Sequence, residues 1–387
     1  MGKNIIIYCN HISANVGVPG VNQALISDIN IYSQSNHTVI GSDYNNYYRF
    51  NWSEDRSVIS MDMIVDHRDL DASMVIFSGF DPLRWVLPKM LKWKTRNCII
   101  ACWTWGFFTK QQSLGNWEKG KVPGWIKRIA IFTKKYAIGP FVDYYLVSGE
   151  AEMRDSKLCS QKCVQMPMGR PQSAILDGCD EVDFSQVYFA EESLNYLGRG
   201  RWYEKGIADI VRYASTRNGK KWKYRFFISS RDAEFDEEVE RHKFPNVEWF
   251  FDVFGKENIP WFFKCAAFIT ISRNPVQTRS SYEALYSGTP IVVLREGFMD
   301  GFKETLDANG LVGAIRVVSE EEYETFSFKI GVMDHESRSK LACVMKTILD
   351  AQKFGKWFGD WLDEPVAPAS YYQHISQVLR SGNAGSD

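Results

Sequence analysis

The stretch Ser272–Leu294, SRNPVQTRSSYEALYSGTPIVVL, decides the fold. It follows an apolar run, AAFITI (Ala266–Ile271), with the length and β-branched content of a buried strand. A polar loop comes next, then a helix-compatible piece (SSYEALYSG), a Thr-Pro turn and a second apolar run, IVVL. Strand, loop, helix, strand is the half-module of a parallel α/β sheet. Its loop sits at the carboxyl end of a strand, the edge where open α/β sheets take their ligands. Thr278, Arg279, Ser280 and Ser281 are expected to offer hydroxyls, a guanidinium and helix N-terminal N–H groups to an anion. Glu283 is expected in the first helical turn, placed to accept hydrogen bonds from a sugar diol. Taken alone, the same residues also describe a plain N-cap, with Ser280 or Ser281 capping, and a carboxylate that complements the helix dipole.

Working outward, a chain of 387 residues exceeds one ordinary core, so two domains are expected. The boundary falls near Met168–Ser173, where Pro and Gly punctuate the chain before an acidic stretch, Asp177–Glu192. This gives domains over 1–168 and 169–355, with a tail over 356–387. With 45% hydrophobic and 24% charged residues the composition is that of a globular protein, not a disordered one. The 14% aromatic content, with 13 Trp, points to stacking surfaces or membrane-interface contacts. The N-terminal run IIIY is too short for a signal peptide, and no stretch approaches the 18 apolar residues of a spanning helix. The eight cysteines are therefore read as reduced thiols of a cytoplasmic protein. Cys159 and Cys163 with Cys179 lack a His or a fourth Cys at metal-binding spacing, so no metal is expected.

The net charge of −1 hides an asymmetry. From Arg84 to Lys135 twelve basic residues face one acid, Glu118, so this segment is +11. An imbalance so local suggests a polyanionic surface as partner. Within it, WIKRIAIFTKKYAI (125–138) reads as an amphipathic basic helix with Trp125 at its margin, the kind that lies in an anionic lipid interface. Basic residues interleaved with aromatics also mark single-stranded nucleic-acid channels. No RNA-binding motif occurs, however, and nucleic acid is not expected.

In chain order, NIIIYCN (Asn4–Asn10) is a buried strand running into a loop with Gly17 and Gly20 and then a helical pattern at Val21, Leu25 and Ile29. Those glycines suit close backbone approach to a nucleotide, or a simple turn, and they do not form a G-x-G-x-x-G fingerprint. His11, at the strand's end, is a candidate substrate contact. Short strands at 37–43 and 57–61 flank a Tyr/Asn-rich loop, DYNNYYRFNW. A strand over Asn97–Phe108 carries Trp103 and Trp105 at its carboxyl end, where aromatics either stack on a sugar or cap the core. The second domain opens with LNYLG, a loop bearing Arg199, Arg201 and Lys205, and a helix with apolar Ile207, Ile210, Val211 and Ala214. Cations beside glycines at a strand–helix junction suit a diphosphate.

From residue 164 to 313 the order of these signals resembles the C-terminal half of GT-B glycosyltransferases. The resemblance is to the large retaining family that includes sucrose synthase-like and bacterial lipid-glycan enzymes. YLGRGRWYEKG (Tyr196–Gly206) resembles that family's G-R-x(n)-K-G element, which implies that Arg199 and Lys205 hold the donor diphosphate. YEALYSGTPIVVL resembles its E-A-x-x-x-G-x-P-V-V motif, which implies that Glu283 binds the nucleotide ribose. VQMPMGR, FFKCAAFITIS and DANGLVG resemble the interdomain linker, a preceding strand and a downstream segment. Pro275 stands where the family has an earlier Glu, Gln277-Thr278 replace its Phe-Gly, and Trp105 aligns near its N-domain His.

The resemblance implies an α/β GT-B fold, two Rossmann-like domains facing a cleft, with a C-terminal helix returning to the first. It implies transfer of a sugar from a nucleotide-sugar donor to a hydroxyl of a glycan or lipid-linked acceptor, with no resident cofactor. No D-x-D pair stands at a strand's end, so metal independence is expected. The basic segment adds a peripheral place at an anionic membrane surface in cell-surface polysaccharide assembly. A catalytically silent nucleotide- or glycan-binding module and a nucleotide-sugar epimerase of the same fold are the alternatives.

Overall fold

Apolar runs long enough for one strand each set the first sheet. The computed structural model describes residues 4–10, 36–42, 47–52, 58–63, 72–78, 87–104, 132–169, 193–200, 202–203, 205–231, 233–251, 262–271, 279–294 and 299–383. Strand β1 (Asn4–Asn10) lies between β2 (Asn36–Ser42) and β5 (Met74–Ser78), parallel to both, and its Ile5, Ile6, Ile7 and Tyr8 are buried on both faces. Strands β3 (Tyr47–Trp52) and β4 (Val58–Met63) add an antiparallel edge. The expected Tyr/Asn-rich loop is therefore half strand, because aromatic residues at β3 fit a pleated surface and the turn signal of the asparagines ends before them. Helix α1 (Leu87–Lys94), β6 (Ile99–Trp103), β7 (Tyr144–Val147), α2 (Glu150–Ser156) and β8 (Cys163–Gln165) follow. Of the basic helix expected over 125–138, the described part is a π-helical turn, Thr133–Ile138, closed by a 3₁₀ turn, Gly139–Phe141.

The second sheet is entirely parallel. Its elements are β9 (Ser193–Gly200), α3 (Ile207–Ala214), β10 (Lys223–Arg231), α4 (Ala233–Arg241), β11 (Val247–Phe251), β12 (Ala267–Thr270), α5 (Arg279–Tyr286), β13 (Ile291–Leu294), α6 (Asp300–Ala308), β14 (Ile315–Val318), α7 (Glu320–Glu324) and α8 (His335–Ile348). The strand order is β11-β10-β9-β12-β13-β14. Tyr196, Tyr224, Phe226, Phe235 and Ile269 belong to a core cluster that joins this sheet to α3 and α4.

The chain then adds α9 (Ala351–Asp363), β15 (Ala369–Ser370) and α10 (Tyr371–Asn383). Phe354, Phe358, Trp361 and Leu362 recur on one side of α9 and all are buried. Tyr144 meets Trp361 edge-on at 5.5 Å and donates to the Pro365 carbonyl at 2.9 Å, and β15 pairs in parallel with β8. This completes a nine-stranded sheet, β15-β8-β7-β6-β5-β1-β2-β3-β4. Two compact units result: Met1–Arg170 with Leu349–Ile375, and Pro171–Ile348 with Ser376–Asp387. No described helix is long and apolar enough to cross a membrane. Among the described residues no group of three or more His, Cys, Asp or Glu is placed to hold a metal ion.

Candidate functional site

At the carboxyl end of β9 the chain is built for close packing under an exposed loop. A Cβ on Gly198 would lie 2.8 Å from the Tyr196 hydroxyl, and one on Gly200 would lie 3.1 Å from the Phe235 ring. The Tyr196 hydroxyl donates to the Arg199 carbonyl at 3.2 Å, so the ring that excludes a side chain at Gly198 also holds the next residue. Arg199 itself is exposed. Trp202 turns inward, 4% exposed, among Phe235 (5.8 Å), His242 (5.4 Å) and Trp249 (6.0 Å between ring centroids). Its carbonyl accepts from Ala208 N at 3.0 Å, which ties the loop to the first turn of α3. Gly206 adopts φ +69°, a left-handed conformation that glycine takes without strain, and Lys205 beside it is half-buried. The two cations thus flank a buried indole that fixes their loop.

Strand β12 pairs with β9 (Ala267 opposite Leu194, Phe268 opposite Asn195). Helix α5 follows β12, so Arg279–Tyr286 belongs to the passage that leaves the same sheet edge as the Arg199–Lys205 loop. Two expectations change here. Ser280 and Ser281 lie inside the helix and do not cap it, because Arg279 is already helical. Glu283 consequently falls in the second turn, buried, with Ser281 also buried and Ser280 half-buried. Thr278, like His11, Gly17, Gly20, Trp105 and Pro275, lies outside the described residues.

The glycine that closes the Glu283 motif has a packing reason. Gly288 sits at φ +73°, and a Cβ there would come within 2.6 Å of the Arg338 carbonyl on α8. Arg338 is buried and donates to the carbonyls of Cys265 (2.9 Å), Ala266 (2.7 Å) and Met333 (3.0 Å). It binds the entry of β12 to α8, which packs on α5. The sequence reading missed it, since an arginine in a helical pattern reads as solvated. Arg231 was missed as well. It ends β10 directly across from Gly200, with its guanidinium 4.4 Å from the centre of the Phe251 ring.

In the first unit the corresponding edge is closed by a polar knot. Trp103, the last residue of β6, is 1% exposed and its indole N–H donates to Met168 Sδ at 2.8 Å. Of the two roles open to it, the ring takes core packing. Just beyond, Glu152 on α2 is fully buried. Its Oε2 accepts from Ser148 N and Ser148 Oγ, both at 2.7 Å, and its Oε1 meets the Thr104 hydroxyl. Thr104 also reaches the Leu146 carbonyl at 2.9 Å, so the knot joins the ends of β6 and β7 to α2. The Cys163 thiol nearby is pushed up to about 12 by burial, with Cys159 and Glu152 adding to the shift.

Of the basic segment, Lys94 is neutralised by Asp143 at 2.6 Å, and Asp143 also accepts from Ile100 N. Phe132 and Tyr136 stand outward, 62% and 56% exposed, with ring centroids 4.6 Å apart.

No family model matches the sequence, and a search of curated proteins finds no match. Solved structures do match along nearly the whole chain. A glycosyltransferase involved in avilamycin A biosynthesis is 13% identical, with 97% of this chain and 98% of that one covered at a TM-score of 0.50. Sucrose-phosphate synthase from Thermosynechococcus elongatus is 12% identical, covering 99% and 100% at 0.51. A glycosyltransferase from Rickettsia africae ESF-5 is 10% identical, covering 99% and 98% at 0.50. Identities this low speak for architecture alone. With its two Rossmann-like α/β units, the chain has the GT-B fold.

Proposed function

We propose that the protein is a glycosyltransferase that moves a sugar from a nucleotide-sugar donor to a hydroxyl of a glycan or lipid-linked acceptor. The observation that carries this reading is the shared edge of β9 and β12. Two passages some eighty residues apart in sequence, one with Arg199 and Lys205 and one with Ser280, Ser281 and Glu283, leave neighbouring strands there. Arg199 and Lys205 neutralise charge that builds on the leaving diphosphate, the role a metal plays in other folds, and the proposed reaction is metal-independent. Glu283 accepts hydrogen bonds from the ribose, with Thr278, Arg279, Ser280 and Ser281 near the phosphates. Gly17 and Gly20 are proposed as further donor contacts. His11 and Trp105 are proposed as substrate contacts; Trp103, which shares their strand-end pattern in sequence, is buried. No resident cofactor is needed. We place the reaction in cell-surface polysaccharide assembly, retaining in stereochemistry, at the cytoplasmic face of an anionic membrane. The segment 84–135 and the exposed pair Phe132 and Tyr136 supply the charge and inserted aromatics that reversible binding requires.

Calorimetric titration with UDP, GDP and ADP tests this reading on the wild type and on Arg199→Ala/Lys205→Ala. A preference for one nucleotide that the double variant abolishes supports it, and absence of all binding overturns it. Turnover of the matching sugar nucleotide, with EDTA present, then separates the outcomes. Dependence on acceptor marks a transferase and turnover without acceptor an epimerase. Binding without turnover marks a silent module, the reading that Pro275 in place of the family's first Glu favours.

A further inference from the structure

We infer that Arg231 is a third cation for the donor's diphosphate, held ready on Phe251 and exchanged from Asp236 to phosphate when the anion binds. This rests on the nucleotide reading of the same sheet edge. The register sets Arg231 opposite Gly200, the residue that follows Arg199. The pairing register shifts between Ile228 and Arg231, so the regular ladder is broken just before this residue.

The support beneath Arg231 is a packed aromatic pair. Phe235, fully buried, would lie 3.1 Å from a Cβ on Gly200, and Phe251 stands edge-on to Phe235 at 6.5 Å and 89°. The Arg231 guanidinium rests over Phe251 at 4.4 Å, a cation–π contact that orients the fork without using its N–H groups. Among the described residues its side chain has one polar contact, Asp236 Oδ1 at 3.5 Å. That is well beyond the 2.7–2.9 Å of a charge-assisted hydrogen bond. Both side chains are open to water, 45% and 52% exposed, so the pair is readily exchanged. A planar fork with donors to spare, on a residue paired in register with Gly200, fits the paired oxygens of a diphosphate better than a single carboxylate at this range. Asp236 holds the site while it is empty and lies in the first turn of α4, where the helix dipole keeps it favourable after exchange.

The test is calorimetric titration at fixed low salt with two probes. One is whichever of UDP, GDP and ADP binds tightest, and the other is inorganic pyrophosphate, which carries no base or ribose. Arg231→Ala should weaken both by about tenfold, the loss expected for one charge-assisted contact. Arg231→Lys should fall between, and Asp236→Asn should tighten both by about two- to fivefold as the competing carboxylate is removed. Circular dichroism establishes that each variant is folded. Should Arg231→Ala not fold, the Lys and Asn variants decide the matter in opposite directions. Affinity of Arg231→Ala within twofold of wild type, with Arg199→Ala weakened tenfold, overturns the role of Arg231 and leaves the nucleotide reading intact. Loss for the nucleotide but not for pyrophosphate overturns the diphosphate assignment. No change in Asp236→Asn overturns the exchange. A wild type that binds neither probe overturns the nucleotide reading and this inference with it.

Discussion

Each unit sends a strand–loop–helix passage out of the carboxyl edge of its sheet, and the two passages use charge in opposite ways. After β9, Arg199 is exposed, and what is buried is the apolar anchor between the cations, Trp202. After β7, the charged residue itself is buried, with Glu152 accepting from Ser148 and Thr104. The first arrangement keeps the Arg199 guanidinium at the surface, where an anion that arrives later can reach it. In the second, the acceptor is already consumed by neighbours, so the carboxylate braces the end of the sheet. The difference teaches how to separate a site from a support within one architecture: a site is held by its surroundings, and a support is what holds them.

This contrast can be broken in several ways, and the largest effect is expected from alkali. Burial pushes the thiols of Cys163 and Cys265 and the Tyr213 hydroxyl up to about 12, from 9.0 for the thiols and 10.0 for the phenol. Groups raised in the folded state stabilise it fully below their unfolded pKa. That contribution is lost as pH climbs through the folded value. The melting temperature should therefore fall steadily from about pH 9 to about pH 12. At pH 8 an alkylating reagent should modify the exposed Cys159 and Cys343 and spare buried Cys163 and Cys265, as read by peptide mapping. Alkylation of Cys163 or Cys265 in the native protein would show that burial does not protect these groups.

Next in size, Glu152→Ala removes the buried carboxylate that the Ser148 N–H and the Ser148 and Thr104 hydroxyls share. A loss of about 3–5 kcal/mol in urea unfolding is expected, with Glu152→Gln milder. An unchanged midpoint would mean the knot is no brace. Arg199→Ala should do the reverse, leaving the unfolding free energy in urea within about 0.5 kcal/mol of wild type. It should instead remove about 1.5–3 kcal/mol of nucleotide affinity by calorimetry. A destabilised Arg199→Ala would erase the distinction between the two edges. The smallest effect on the fold is expected from Phe132→Ser/Tyr136→Ser, since both rings are exposed. Co-sedimentation with vesicles rich in phosphatidylserine should drop while stability holds, and undiminished binding would count against the membrane role.

Much of the architecture is legible in the residues because a parallel strand buried on both faces must be apolar throughout. Hence β1, β5, β7, β12 and β13 stand out as short, largely apolar runs. Strand β3 was hidden because the turn-forming Asn45 and Asn46 adjoin it and its polar residues blur the alternation. The start of α5 was misplaced because serines favour N-caps, whereas the helix begins at Arg279.

What the residues determined unaided is local chemistry: which runs are strands, where glycine is needed, and that cations gather at a strand–helix junction. Only tertiary structure decided which charges are spent and which remain available. Glu152 and Arg338 look like surface residues in one dimension, and Arg231 looks like the end of an ordinary strand. Their roles depend on partners between 4 and 73 positions away, brought together by strand order and register. A side chain's type sets what it can bond to, but burial and the geometry of its neighbours set whether that capacity is already filled.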